Sequence, residues 1–357
     1  MTILVTGGAG FIGSNFIRYW LSKKEGIVVN LDKLTYAGDL NNLTEFQNDP
    51  RHIFVRGDIA DRKIVQEILQ KHHPLMIVHF AAETHVDRSI KFPQDFIQTN
   101  VVGTLNLLDE VREYFRTLKN EEKENFRFLH VSTDEVYGSL KENDDPVKES
   151  SVFAPNNPYS ASKAASDHLV RAYNHTYGLP TIVTHCTNNF GPYQYPEKLI
   201  PLLIMNGVKG KPLPVYGDGL HIRNWLYVDD HSHALSLVLK KGRIGEVYNI
   251  GGPEEKTNLE IVETVGSLLD ELHPHSPYKP HSSLIAHIED RSGHDRRYSM
   301  DSSKICQELG WKPDGDFISR MRKTVKWYLD HDAWVENAMN GDNKQWFKTH
   351  YSELEIV

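Results

Sequence analysis

The chain has 357 residues, with 40 Lys and Arg against 48 Asp and Glu for a formal net charge of -8. Its 39% hydrophobic content and 24 glycines are those of a globular protein, which excludes disorder and a fibrous repeat, and no apolar run approaches the roughly 18 residues a membrane span needs. The negative balance opposes non-specific binding along a nucleic-acid backbone, so neither nucleic acid nor membrane is an expected partner, while a small anionic substrate stays open if a few cations converge.

From the N-terminus, apolar β-rich runs alternate with helical patterns. Strands are predicted at Ile3 to Thr6, Ile27 to Leu31, His52 to Val55, Met76 to Phe80, Phe126 to Val131 and Thr181 to His185, and helices at Phe11 to Lys23, Arg62 to Lys71, Asn100 to Phe115 and Tyr159 to Tyr177. This alternation predicts an α/β fold with a doubly wound parallel sheet. Past residue 186 the texture changes. Prolines stand at 192, 196, 201, 212 and 214, and helices are expected at Leu199 to Lys209, Asp229 to Lys240 and Leu259 to Leu272, with a turn-rich stretch from His273. Trp346, Phe347 and Tyr351 near the C-terminus suggest a packed tail.

The start, MTILVTGGAG, carries no basic-then-apolar leader, so a cytoplasmic location is expected. Cys186 and Cys306 lie too far apart for a paired metal motif and read as free thiols. Asp229, Asp230, His231 and His233 invite a metal reading, but they read better as a polar helix start, and no metal is expected.

Gly7, Gly10 and Gly13 fall between the first strand and first helix. Glycines there give a tight turn, close approach of backbone to a pyrophosphate and a helix N-terminus for its charge. Asp32 ends the next strand, where a carboxylate accepts hydrogen bonds from a ribose and repels a 2'-phosphate, so NAD is favoured over NADP. Asp58, after the third strand, is spaced to approach the adenine.

Tyr159 and Lys163 are four apart at a helix start, so they share a face and the ammonium can lower the pKa of the phenol, making a base for an alcohol. Ser132, Thr133, Asp134 and Glu135 follow a strand at the C-terminal edge of the sheet, where α/β proteins place ligands.

In order, TGGAGFIGS, AAETHVDRS, VSTDEVYG, YSASKAASD, NNFGPYQYPEKLIP, GDGLHIRNWLYVDD and DRSGHDRRY resemble the extended short-chain dehydrogenase/reductase family, most closely its nucleotide-sugar 4,6-dehydratases. The resemblance implies a Rossmann-type NAD-binding domain over 1–186, to which segments near 223–250 return. It implies a smaller C-terminal substrate-binding domain over 187–330, and leaves 331–357 as an extension without a readable role.

The implied reaction is dehydration of dTDP-glucose to dTDP-4-keto-6-deoxyglucose for deoxysugar synthesis, with Tyr159 as base, Lys163 beside it, Glu135 removing the C5 proton, Asp134 as neutral acid and Thr133 at the 4-oxygen. By the same resemblance Phe11, Ile12, Lys33, Leu34 and Thr35 join the glycines around NAD, with Ile59, Ala81, Ala82, Thr99 and Asn189 further along the chain. Glu83 and Thr84 would lie by the sugar. Asn188, Lys198, Leu199, Pro214, Tyr216, Arg223, Asn258, Arg291 and His294 would hold the nucleotide diphosphate.

A homodimer through a four-helix bundle of the 100–115 and 159–177 helices is also implied. The sequence departs from the family pattern at Ser292, where Pro is usual, and at His185, where Arg is common. A UDP-sugar 4-epimerase or decarboxylase of the same scaffold and a non-catalytic NAD-binding protein remain the alternatives. The adjacent acids argue against the first and the retained Tyr, Lys and acid pair against the second.

Overall fold

The computed structural model describes residues 1–290 and 293–339. The first half alternates β1 (Thr2–Thr6), β2 (Ile27–Asp32), β3 (His52–Arg56), β4 (Met76–His79), β5 (Arg127–Thr133) and β6 (Thr181–Cys186) with helices Phe11–Ser22, Arg62–His72, Thr104–Thr117 and Pro158–Tyr177. The second half adds β7 (Asn188–Phe190), β8 (Leu213–Tyr216), β9 (Ile222–Tyr227), β10 (Val247–Ile250), β11 (Glu254–Thr257) and β12 (Ile285–Ile288).

The main sheet has seven parallel strands in the order β10-β6-β5-β4-β1-β2-β3. Strand order reverses beside β1, which opens a crevice at the C-terminal ends of β1 and β4. The strands read as nearly unbroken apolar runs because both faces of the sheet are covered. One face packs Phe16, Ile17 and Trp20 against Leu235, Val238 and Leu239 of helix Val228–Lys241. On the other, Val65, Ile68, Leu107, Val111, Val170 and Tyr173 come from helices Arg62–His72, Thr104–Thr117 and Pro158–Tyr177. A third core lies under the second half, where helices Leu199–Val208, Asn258–Leu272 and Phe317–Asp330 cover the small sheets β11-β9-β7 and β12-β8.

Local chemistry sets the helix ends. Asp61 accepts from Lys63 N and Ile64 N, Asn157 from Ser160 N, and Thr257 forms a capping box with Glu260. Gly178 closes the Pro158–Tyr177 helix at φ +67, a left-handed conformation that costs glycine little.

The structure differs from the sequence pattern in several places, among them the six strands β7 to β12, which were not predicted. β5 and β6 run on to Thr133 and Cys186, so Ser132 and Thr133 belong to the strand. The helix expected from Asn100 starts instead with a π-helical turn, Ile97–Gly103, which frees the Asn100 side chain to bridge Glu83 N, Glu83 O and Ser162 Oγ. Helix Phe317–Asp330 was not anticipated. Of the aromatic tail, Trp346, Phe347 and Tyr351 lie outside the described residues.

Arg320, on that unanticipated helix, reaches the buried Asp230 at 2.9 Å, with its guanidinium over the Tyr227 ring. Removing one member of a buried pair leaves the other charge without its main countercharge. Asp230→Ala is expected to lower the unfolding free energy by about 3 to 5 kcal/mol, measured by urea denaturation. A loss below about 1 kcal/mol is the value for a solvated surface pair and would contradict burial as the cause.

Candidate active site

Where β1 ends, Gly7 turns the chain at φ +71, and a Cβ there would stand 2.6 Å from Ala81 N. A Cβ at Gly13 would lie 2.3 Å from Gly7 O. The loop is thus packed backbone on backbone, and the first helix begins at Phe11 with no side-chain cap and no acid in its first turn. Its amides face the cleft as anion donors.

Asp32 closes β2 with Oδ2 accepting from Ala9 N at 2.9 Å and Oδ1 from Leu34 N at 2.8 Å. Burial pushes its pKa up and those two amides hold it down. Asp58 pairs with Lys33 Nζ at 2.6 Å and accepts from Ala60 N. One continuous cleft is lined by Gly7, Gly10, Phe11, Ile12, Gly13, Asp32, Lys33, Thr35, Asp58, Ile59, Ala81, Ala82, Thr99 and Asn189. Leu34 is the exception among the expected cofactor residues: it turns at φ +57 to give its amide to Asp32 and does not line the cleft.

The same cleft reaches the C-terminal end of β5, taking in Thr133, Asp134, Glu135, Tyr159 and Lys163. Asp134 is 3% exposed, and burial followed by the neighbouring Glu135 charge pushes its pKa up to about 8, against the opposing pull of Arg223 and Thr133. Thr133 Oγ1 donates to Asp134 Oδ1 at 3.2 Å, while the buried Oδ2 has no hydrogen-bond partner among the described residues. Glu135 Oε2 accepts from Ser160 Oγ at 3.1 Å.

Tyr159 departs from the expectation drawn from its spacing to Lys163. Burial and the Glu135 charge push the phenol well above its ordinary value, and the group acting downward is the Thr133 hydroxyl. Lys163 Nζ donates instead to Val131 O at 3.0 Å. Cys186, also in the cleft, has its thiol pushed up to about 12 by burial and Asp134, so it stands as a neutral thiol. Both cysteines are free.

Of the expected substrate residues, Glu83, Thr84, Asn188 and Lys198 line this cleft, and Lys198 Nζ donates to Thr84 O. Burial raises the Glu83 pKa, which Arg88 opposes. A second group lies off the cleft, at the ends of β8 and β9. There Tyr216 meets His294 edge-on, His294 stacks on His221, and Asn258 N donates to His221 O. Arg223 is held by the carbonyls of Ile222, Asp295 and Arg296, and its charge reaches Asp134. Leu199 packs into the third core and Pro214 sits within β8. Arg291 and Ser292 lie outside the described residues.

The residues weighed for a metal are spoken for otherwise: His231 Nδ1 meets Asn189 Oδ1 and Asp230 meets Arg320. Among the described residues His221, Asp290 and His294 do bring three ligand atoms within 4.8 Å. Their two imidazoles, however, are stacked 15° from parallel with centroids 3.7 Å apart. One ion cannot lie in both ring planes, as in-plane lone pairs require.

Residues 4–324 match the family model described as GDP-mannose 4,6 dehydratase. The chain belongs to this family. The curated dTDP-glucose 4,6-dehydratase of Xanthomonas campestris pv. campestris strain B100 is 55% identical to this family member over 341 residues, 95% of this chain and 96% of the relative. The dTDP-glucose 4,6-dehydratase of Bacillus anthracis, solved in complex with NAD, superposes with a TM-score of 0.83 at 44% identity, covering 95% and 99% of the two chains. That of Streptomyces venezuelae, also with NAD bound, reaches 0.85 at 45%, covering 95% and 100%.

Sequence reasoning missed two members of this GDP-mannose 4,6-dehydratase-family site. Glu197, buried in the cleft, lies within reach of Arg88 and His85. Tyr298 donates to Asp295 Oδ2 at 2.5 Å beneath the Arg223 guanidinium, with its phenol pushed up by burial and by Glu135. Both sit inside quoted motifs, in YPEK and DRRY, so the signal was present, but Lys198 and Leu199 were taken from around the first and Arg291 and His294 from just before the second.

Gly13→Val forces Gly7 O away and opens the loop. The purified variant is expected to carry about a tenth or less of the NAD held by the parent, a loss of roughly 1.4 kcal/mol or more in binding, measured chromatographically after denaturation. Full NAD occupancy would show that the backbone contact does not shape the cofactor site.

Proposed function

We infer that this chain removes water from dTDP-glucose to give dTDP-4-keto-6-deoxyglucose, with NAD retained through the cycle. The observation that carries the reading is the buried Asp134 adjacent to Glu135, at the strand end where Tyr159 also opens into the cleft. The glycine loop, uncapped helix start and Asp32 fit a dinucleotide in the same cleft.

When bound, NAD supplies a reversible hydride acceptor and, as a cationic ring, favours the anionic phenol. Tyr159 takes the proton of the 4-hydroxyl as that carbon is oxidised, with Thr133 beside the same oxygen. The 4-ketone makes the C5 proton acidic enough for the Glu135 carboxylate to remove. Asp134, neutral because burial and Glu135 favour its protonated form, gives its proton to the departing 6-oxygen. Glu83, Thr84, Asn188 and Lys198 surround the sugar side. Arg223, Tyr216, Asn258 and His294 take the nucleotide half, where fixed cations and donors suit a diphosphate. The hydride taken from C4 would return at C6 and a proton at C5, so the oxidation is internal, no second redox substrate is consumed, and the 4-keto-6-deoxy product suits deoxysugar synthesis.

Mass spectrometry tests this directly: protein without added NAD is expected to convert dTDP-glucose to a product lighter by one water. In Asp134→Asn, elimination slows by about a hundredfold or more while oxidation survives, so reduced nicotinamide builds up on the protein, seen by its near-ultraviolet absorbance. The sign with pH follows, because a carboxyl group titrating at about 8 is an acid below that value and a carboxylate above it. Elimination in the parent is expected to fall as pH rises through about 8. Unaltered turnover in Asp134→Asn would remove Asp134 from the reaction.

The reading extends to a homodimer working in the cytoplasm. Helices Thr104–Thr117 and Pro158–Tyr177 lie side by side, and Ile97, just before the first, and Tyr177, at the end of the second, remain 48% and 47% exposed, apolar surface that a two-fold four-helix bundle would cover. Among the described residues no helix is long and apolar enough to cross a membrane. Light scattering at micromolar concentration is expected to give twice the chain mass, and a monomer would overturn this assembly.

A further inference from the structure

Tyr159, Lys163 and Asp167 follow at four-residue steps along helix Pro158–Tyr177, and all three are buried. The catalytic reading uses the first two and leaves Asp167 without a role. Its carboxylate nevertheless ties together the elements that carry the site. Oδ2 accepts from Ser132 Oγ at 2.9 Å, at the end of β5, and meets His185 Nε2 at 3.0 Å, at the end of β6. Oδ1 lies 3.2 Å from His130 Nε2 on β5. Ser132 precedes Thr133, Asp134 and Glu135, so this anchor sits directly beneath the reacting groups.

We propose that Asp167 is a positioning residue for the reaction: held by Ser132 and His185, it fixes the ends of β5 and β6 and, one helical turn from Lys163, supplies the negative charge that holds the buried ammonium. This deepens the dehydratase reading and rests on it.

The groups facing Lys163 support the assignment. Burial alone pulls the Lys163 pKa below the ordinary lysine value, and Asp167 and then Cys186 oppose it. Cys186 on β6 is a neutral thiol, since burial pushes it up to about 12. Burial and then the Lys163 charge lower His130 on β5 to about 4, and burial, His130 and Lys163 hold His79 on β4 well below its ordinary value, so both imidazoles are neutral. Of the groups found to act on this lysine, Asp167 is therefore the anion. It keeps its charge because His130 and His185 offset the burial that would raise its pKa.

The hydrogen bonding continues on the far side of the anchor. Asn249 Nδ2 donates to Val147 O, and the Tyr137 hydroxyl lies 3.1 Å from Asn249 Oδ1. The Tyr137 oxygen is also 2.8 Å from His185 Nδ1, and His185 Nε2 faces Asp167 Oδ2, so β5, β6 and β10 are tied to the carboxylate through one chain of contacts.

The test uses the full chain as purified with its NAD. In Asp167→Asn the Nζ signal of Lys163, identified by its loss in Lys163→Met under 15N-lysine labelling, is expected to titrate at lower pH than in the parent. With dTDP-glucose, kcat/KM falls about tenfold or more and its alkaline limb moves to lower pH. An unshifted Lys163 titration, with any loss of rate confined to a pH-independent factor, would reduce Asp167 to a structural residue and overturn the proposal. If Asp167→Asn does not fold, 15N-histidine spectra of the parent decide: a hydrogen on His185 Nε2, facing Asp167, supports the anchor, and a bare Nε2 overturns it. A shifted Lys163 titration in a protein that leaves dTDP-glucose unchanged would instead refute the dehydratase reading and keep the coupling between Asp167 and Lys163.

Discussion

A carboxyl group moved out of water beside a second carboxylate cannot keep its charge, and the arrangement at the end of β5 depends on that constraint. Asp134 is buried, Glu135 follows it in sequence, and burial together with the Glu135 charge favours the protonated form of Asp134. The arrangement has a cost. The folded chain holds a proton on Asp134 that the unfolded chain releases in the ordinary carboxylate range. Its contribution to stability is therefore complete only below that range and is lost as pH rises through about 8.

The scaffold creates this environment through strand ends rather than loops alone. β5 continues to Thr133 because Ser132 and Thr133 still pair with His185 and Cys186 across β6, so the acid pair begins where a rigid, fully covered sheet stops. Helix Pro158–Tyr177 then lays Tyr159, Lys163 and Asp167 along the sheet, and Asn157 fixes its start through Ser160 N. Ser160 in turn reaches Glu135, so the capping of the helix and the orientation of the second acid share one hydrogen-bond chain. A shift of this helix would move Tyr159 and Glu135 together, which favours a single geometry over several loose ones.

Much of this was legible in the sequence where the signal is local. The strand, glycine turn and helix at Gly7 to Gly13 need only their own residues to be recognised, and the six strands of the first half are apolar runs with clear stops. Less was legible where long-range contact decides. β10 joins the main sheet beside β6 from more than sixty positions away, a return that family resemblance implied for 223–250 but that the four residues of VYNI do not mark by themselves. The four-residue step from Tyr159 to Lys163 correctly puts the two on one face. Spacing could not show that the ammonium would turn to Val131 O. Glu197 and Tyr298 were passed over because an acid beside Lys198 and a Tyr after two arginines look ordinary until the fold buries them.

The second half contributes electrostatics as well as shape. Arg223 is oriented by three backbone carbonyls and stacked over Tyr298, so its position is fixed by the chain path rather than by the state of another side chain. From there its charge opposes the rise in the Asp134 pKa, and also opposes the rise at Tyr298. A cation fixed in this way therefore helps set the acidity of Asp134. An anion close to Arg223 would weaken its hold on Asp134 and favour the protonated acid, so the charge state of Asp134 depends on what stands beside Arg223.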